Sequence, residues 1–157
     1  MTRVCLVGAE DVDLRAELIA SETARDALSA YELETPFANC VAVETISLGA
    51  AVSLCNDLNW YLRRYAEDAL VLEPSVTEAE WLSRSLATAI RNERIAAADT
   101  GTFLKIYGVV EPDEAGRPNE LVEPLLARRV GEETPAYDLR DVADTVPVRI
   151  TATEFGA

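Results

Sequence analysis

Tyr65-Ala66-Glu67-Asp68-Ala69-Leu70-Val71-Leu72-Glu73-Pro74 can be read in two ways, and the choice sets the topology. From Leu48 onward Ala51, Leu54, Cys55, Leu58, Tyr61, Leu62, Tyr65, Ala69 and Leu72 share one arc at about 100° per residue. That spacing predicts a single helix from Leu48 to Pro74. The rival reading ends the helix near Glu67 and makes Ala69 to Leu72 a short third strand, which gives a doubly wound sheet. The long helix is the preferred reading.

Upstream, Val4 to Val7 is a continuous apolar run closed by Gly8, as in a strand buried on both faces. Asp11 and Asp13 offer N-caps to a helix from about Leu14 to Tyr31, and Cys40 to Ile46 is the next strand. Strand, helix and strand in about 45 residues imply a right-handed crossover between parallel strands. Downstream, Ser75-x-x-Glu78 and Thr77-x-x-Glu80 are overlapping capping boxes that open a helix to about Asn92, with Ala79, Leu82, Leu86, Ala89 and Ile90 as its core stripe. Phe103 to Val110 is rich in aromatic and β-branched residues and reads as a strand. The expected fold class is α/β (α+β), a small mixed sheet with a β-α-β start, a helical pair in the middle and a later strand.

Beyond Glu111 the texture changes, because five of the seven prolines lie there among acidic residues. The division expected is a core domain over 1–111 and an acidic, Pro-rich segment over 112–157, which folds back to add an edge strand at Val148 to Thr153.

Composition narrows the function. At 157 residues and 49% hydrophobic, the chain is long enough for one ordinary domain with a real core. With no histidine, Ser-His-Asp hydrolysis, Cys-His proteolysis and histidine-ligated zinc are all excluded. Against 28 Asp and Glu stand 14 Lys and Arg, a net of −14, and Lys105 is the only lysine. Such a surface suits molar salt, where a Debye length of about 3 Å screens carboxylate repulsion. The host is read as a halophile. No basic run or stripe exists to track phosphates, so nucleic acid is disfavoured as a partner. The apolar run after Met1-Thr2-Arg3 is too short for a signal peptide or a membrane span, which makes cytoplasmic the expected location. Cys5, Cys40 and Cys55 are odd in number, lack C-x-x-C spacing and read as small buried hydrophobes.

Three segments, Val4-Cys5-Leu6-Val7-Gly8-Ala9-Glu10-Asp11-Val12-Asp13-Leu14-Arg15, Asn56-Asp57-Leu58-Asn59-Trp60-Tyr61-Leu62 and Glu80-Trp81-Leu82-Ser83-Arg84-Ser85-Leu86-Ala87, resemble a family of small uncharacterised haloarchaeal proteins, a domain-of-unknown-function family. The resemblance covers about residues 1 to 110. It implies a cytoplasmic archaeal protein and brings no activity, cofactor or catalytic residue with it.

Three constellations carry possible chemistry. Glu10, Asp11 and Asp13 lie just past the carboxyl end of the first strand, where open sheets bind ligands, and would suit Mg²⁺ serving a phosphorylated small molecule. The plainer reading is that Asp11 and Asp13 cap a helix and Glu10 is solvated. Lys105 shares a strand face with Phe103 and Tyr107, either as a reactive amine or, more simply, with its ammonium in water. Trp60 projects opposite the apolar stripe of its helix, near Asn56 and Arg64; Trp81 is placed on the polar face of the next, near Arg84 and Thr88. A large aromatic on a polar face is either covered or a contact surface. The leading expectation is a non-catalytic accessory or regulatory protein without cofactor that binds a protein partner through these residues. The alternative is the Mg-dependent enzyme. A nucleic-acid role would require Arg63, Arg64, Arg84, Arg91 and Arg94 to converge on one face.

Overall fold

The first apolar run forms β1 (Thr2–Gly8) in the computed structural model, which describes residues 1–157. Gly8 ends the strand where the chain needs a close approach: a Cβ there would lie 2.4 Å from the Asn39 side chain. In that space Asn39 Oδ1 accepts from the Leu14 N–H and Nδ2 donates to the Ala9 carbonyl, which pins the turn into α1 (Leu14–Ala20). The single helix expected to Tyr31 breaks at Ser21, whose backbone is extended, and resumes as α2 (Glu22–Leu28). The break is held from outside, because the Ser21 hydroxyl meets the Tyr61 hydroxyl at 2.6 Å. Two short helices return the chain to the end from which it left. β2 (Cys40–Thr45) therefore runs antiparallel to β1, with Val7 opposite Cys40, and the parallel crossover is corrected.

The long central helix is also corrected. α3 (Leu48–Asp57), capped by the Ser47 hydroxyl, and α4 (Asn59–Tyr65) meet at the buried Leu58, and the chain then enters β3 (Ala66–Leu72). The rival reading was right about the strand but not about the doubly wound sheet it was expected to give, because β3 pairs antiparallel with both neighbours and the helices cover one face. Ala69 and Val71 face the helices while Leu70 faces the other side, and all three are buried. A run buried on both faces has no period of its own, so the helical arc could be drawn through it.

The capping boxes at Ser75 to Glu80 misled in a similar way. The Thr77 hydroxyl does accept from the N–H groups of Ala79 and Glu80, but no helix follows. Instead the chain forms β4 (Trp81–Ser83), and α5 (Arg84–Arg91) starts from the Ser83 hydroxyl, which accepts from the Leu86 N–H. Glu80 does not reach back to a cap, because its carboxylate is claimed by Arg129 and Arg149. β5 (Phe103–Val110) lies where it was expected.

The C-terminal segment supplies β6 (Glu120–Arg128), β7 (Asp144–Arg149) and the short α6 (Ala152–Phe155). The sheet is mixed, in the order β2-β1-β3-β4-β7-β5-β6, and only β4 and β7 are parallel. With six helices it makes an α+β fold. The edge strand expected at Val148 to Thr153 is in fact interior: β7 lies between β4 and β5, and β6 is the edge. On β7, β4 pairs only with Val148 and Arg149, so Pro147 interrupts no ladder on that side. β5 is joined to the rest of the sheet through β7 alone.

All five longer helices cover one face of the sheet, over a cluster of 19 buried residues. The other face curls. Two strands lie between β3 and β5, yet Lys105 and Tyr107 on β5 both reach Asp68 on β3, and the Ala38 N–H before β2 donates to the Asn119 carbonyl before β6. The two sheet edges thus meet at one point. The concave interior holds a second cluster, with Cys5, Leu70, Tyr107 and Val148 among its members.

Candidate functional site

α4 is one of the places where the chain leaves a large apolar side chain in water. Its sequence puts Leu62 into the core and turns Trp60 outward, 56% exposed. The indole is not loose: Tyr61 and Tyr65 meet it edge-on at 5.0 and 6.3 Å, and the Arg64 guanidinium lies 4.6 Å from its centroid. Stacking of this kind restricts the ring while leaving its outer edge available. Arg84, at the start of α5, donates to Asn59 Oδ1 at 2.9 Å and to Asn56 Oδ1 at 3.1 Å, which ties α5 to the junction of α3 and α4. Arg63 and Arg84 line a shallow cavity beside β3 together with the acids Glu67, Asp68 and Glu154.

Asn56, Trp60, Arg64 and Arg84 are therefore gathered around α4. The structure does not bring Trp81 to them. Trp81 begins β4 rather than sitting on a helix, and it packs, partly buried, against the concave cluster on the opposite face of the sheet. The Thr88 hydroxyl is spent within α5, donating to the Arg84 carbonyl at 2.9 Å. The wider arginine set does not converge either: Arg91 lies against Gly49 at the far end of α3, and Arg94 lines a separate cavity with Phe103 and Ile150.

The acidic loop is divided. The Asp13 carboxylate caps α1 by accepting from the Ala16 N–H at 3.1 Å, and Asp11 takes a left-handed backbone conformation, φ 64°. Glu10 faces a cavity of about 630 Å³ at the mouth of the curled sheet, shared with Glu67, Glu120, Glu123 and Arg140. Nowhere do three His, Cys, Asp or Glu side chains come together as metal ligands.

The concave face holds groups that sequence reading missed. Asp68 Oδ2 accepts from Lys105 Nζ at 2.9 Å and from the Tyr107 hydroxyl at 2.8 Å. The Lys105 side chain is only 23% exposed, so its ammonium is not in free water as the plainer reading expected. Burial, with the Asp68 charge beside it, pushes the Tyr107 hydroxyl far above the ordinary tyrosine range. A hydrogen bond with Cys40, together with burial, raises the Cys5 thiol, and burial pushes Cys55 up to about 11. The same hydrogen bond lowers the Cys40 thiol, and all three cysteines are free and buried, as small hydrophobes would be. The one sequence signal for this network was the lone lysine among aromatics, but its partner was 37 residues away.

A family model, described as a family of unknown function (DUF5804), matches residues 2–109. The chain belongs to this family. No curated protein and no solved structure matches the chain. The DUF5804 segment carries β1 to β5 with all of α1 to α5, and therefore the whole Trp60 surface. It does not carry β7, the strand that joins its own β5 to the sheet. No helix is long and apolar enough to cross a membrane.

Proposed function

We propose that this DUF5804 protein is a non-catalytic accessory or regulatory protein of a halophilic archaeal cytoplasm that holds a protein partner through the Trp60 face of α4. The observation that carries this reading is the exposed indole, clamped by Tyr61, Tyr65 and Arg64 in an otherwise polar setting. Tryptophan and arginine are among the residues that most often dominate protein interfaces, tryptophan through a large rigid ring and arginine through a planar guanidinium with five donors. Arg63, Arg64 and Arg84 around it suit a partner that offers carboxylates beside an apolar side chain. The halophilic setting rests on the net charge of −14 and the single lysine.

Two measurements test the reading. Tagged wild-type protein and Trp60→Ala are compared in capture from a high-salt lysate, with circular dichroism to check that both are folded. The expected result is a specific protein retained by the wild type and lost by the variant, while identical retained sets overturn the surface. Separately, far-UV circular dichroism should show structure lost as KCl falls from molar towards about 0.1 M, where the Debye length reaches about 10 Å. An unaltered spectrum in low salt removes the halophilic half of the proposal.

A further inference from the structure

Glu80, Arg129 and Arg149 form the most enclosed charge cluster in the molecule, and its charges do not balance. Glu80 is buried, and the Arg129 and Arg149 side chains are only 15% and 16% exposed. Arg149 Nε donates to Glu80 Oε1 at 2.7 Å, and Arg129 Nη2 donates to Oε2. Both carboxylate oxygens are thus occupied, with two guanidiniums against one carboxylate. Arg149 finds a second acceptor in the Thr100 hydroxyl at 3.0 Å. Arg129 has Glu80 alone, and its Nε is buried with no acceptor. A chain with twice as many acids as bases has placed a surplus positive charge and an unmade donor in one enclosed spot. The surplus guanidinium charge is costly unless an anion lies beside it.

The space for that anion is present. A cavity of about 280 Å³ opens beside Arg129, walled by Thr100, Gly101, Thr102, Gly131 and Glu132, with no hydrophobic side chain among them. Gly101 has φ 101°, and a Cβ there would come within 3.2 Å of Arg149 Nε, so the loop backbone passes close to the cluster. Gly131, also at positive φ, has open space around its Cα. The walls offer a guanidinium, the Thr102 hydroxyl and glycine amides, which together suit a small tetrahedral oxyanion, while the Thr100 hydroxyl is spent on the Ala97 carbonyl. They offer nothing to an apolar ligand, and the surplus charge repels a cation.

We propose that this pocket binds a phosphate-type oxyanion, held by Arg129 against the Thr100–Thr102 loop. Glu132, the one acid in the wall, opposes the ligand and limits its affinity. Neither the Trp60 surface nor any partner enters the argument, since this pocket is built from the β6 end and the loop before β5.

The test is a titration of the full-length protein with inorganic phosphate at constant ionic strength in KCl, followed by the amide resonances of Gly101 and Gly131. Saturable shifts of both are expected. Arg129→Gln should weaken binding by about tenfold or more through loss of a charge-assisted contact, and Glu132→Gln should tighten it several-fold. Because Arg129→Gln leaves Glu80 with one partner and risks unfolding, Glu132→Gln, an exposed change, keeps the proposal decidable. Resonances that stay still, a Glu132→Gln titration identical to wild type, or equal shifts produced by chloride alone would each overturn it.

Discussion

The two faces of the sheet solve burial differently. Under the helices, 19 residues form a core that is apolar throughout, and the polar ties between its helices are the Ser21 to Tyr61 contact and those of Arg84 with Asn56 and Asn59. On the concave face the buried set is smaller, and a charged network of Asp68, Lys105 and Tyr107 spans it. Apolar packing is non-directional and needs only complementary volume. A buried ion pair is directional and stabilises only when both partners are in place. The helical face should therefore tolerate shape-conserving change, whereas the concave face should respond to single polar deletions.

The largest effect should come from removing what closes the concave face. A chain cut after Glu111 loses β6 and β7, so β5 keeps no strand partner and β4 loses one of its two. Cooperative thermal unfolding in high salt is expected to disappear, and a retained sharp transition would show that 1–111 folds independently of β7. Next in size is Leu82→Ala in the helical core, where the side chain is fully buried; chemical denaturation should register a loss of about 2–5 kcal/mol.

Asp68→Ala on the concave face should cost less, roughly 1–3 kcal/mol, since the stranded Lys105 ammonium at 23% exposure can draw in water. If its cost instead exceeds that of Leu82→Ala, the polar network rather than the apolar core dominates the stability.

Acid should act through Glu80. Burial alone would raise its carboxyl, but hydrogen bonds from Arg149 and Arg129 outweigh burial and hold it below the ordinary glutamate range. A lowered folded value means that stability is present above the unfolded value, about 4.3, and is lost as pH falls through the folded one. Melting temperatures measured down to about pH 3 should therefore fall less steeply in Glu80→Gln than in wild type; parallel slopes would remove Glu80 from the account.

The smallest effect belongs to Trp60→Ala, where exposure limits the loss to within about 1 kcal/mol. Wild-type emission should keep a red-shifted component that acrylamide quenches and that vanishes in this variant. Trp81, partly buried against the concave cluster, should supply the less quenchable remainder.

Local chemistry was enough for several parts of the molecule. β1, β2 and β5 were legible because their apolar and β-branched runs are short and bounded, and the Asp13 cap because a carboxylate beside a helix start has an immediate use. Trp60 was legible because its helix has a clear apolar stripe to stand opposite. Trp81 failed for a particular reason. The residues before it satisfy the Thr77 hydroxyl much as a capping box would, so the local signal for a helix was real. It was overruled by pairing with β7 and by two arginines on Glu80, which lie 49 and 69 residues further along.

By itself, then, the sequence determined the mixed α+β class, the positions of β1, β2 and β5, the acidic surface, the absence of histidine chemistry and the outward tryptophan on α4. These depend on composition or on residues within a few positions of one another. Only the tertiary structure decided that β1 and β2 run antiparallel, that β3 is a strand, that β7 is interior, and that Asp68 meets Lys105 while Glu80 meets two arginines. Each of those outcomes is fixed by contacts between residues far apart in the chain. Their energies, from burial on both faces of a strand or from pairing a buried charge, exceed the local propensities of a few tenths of a kcal/mol to about 1 kcal/mol that a sequence displays.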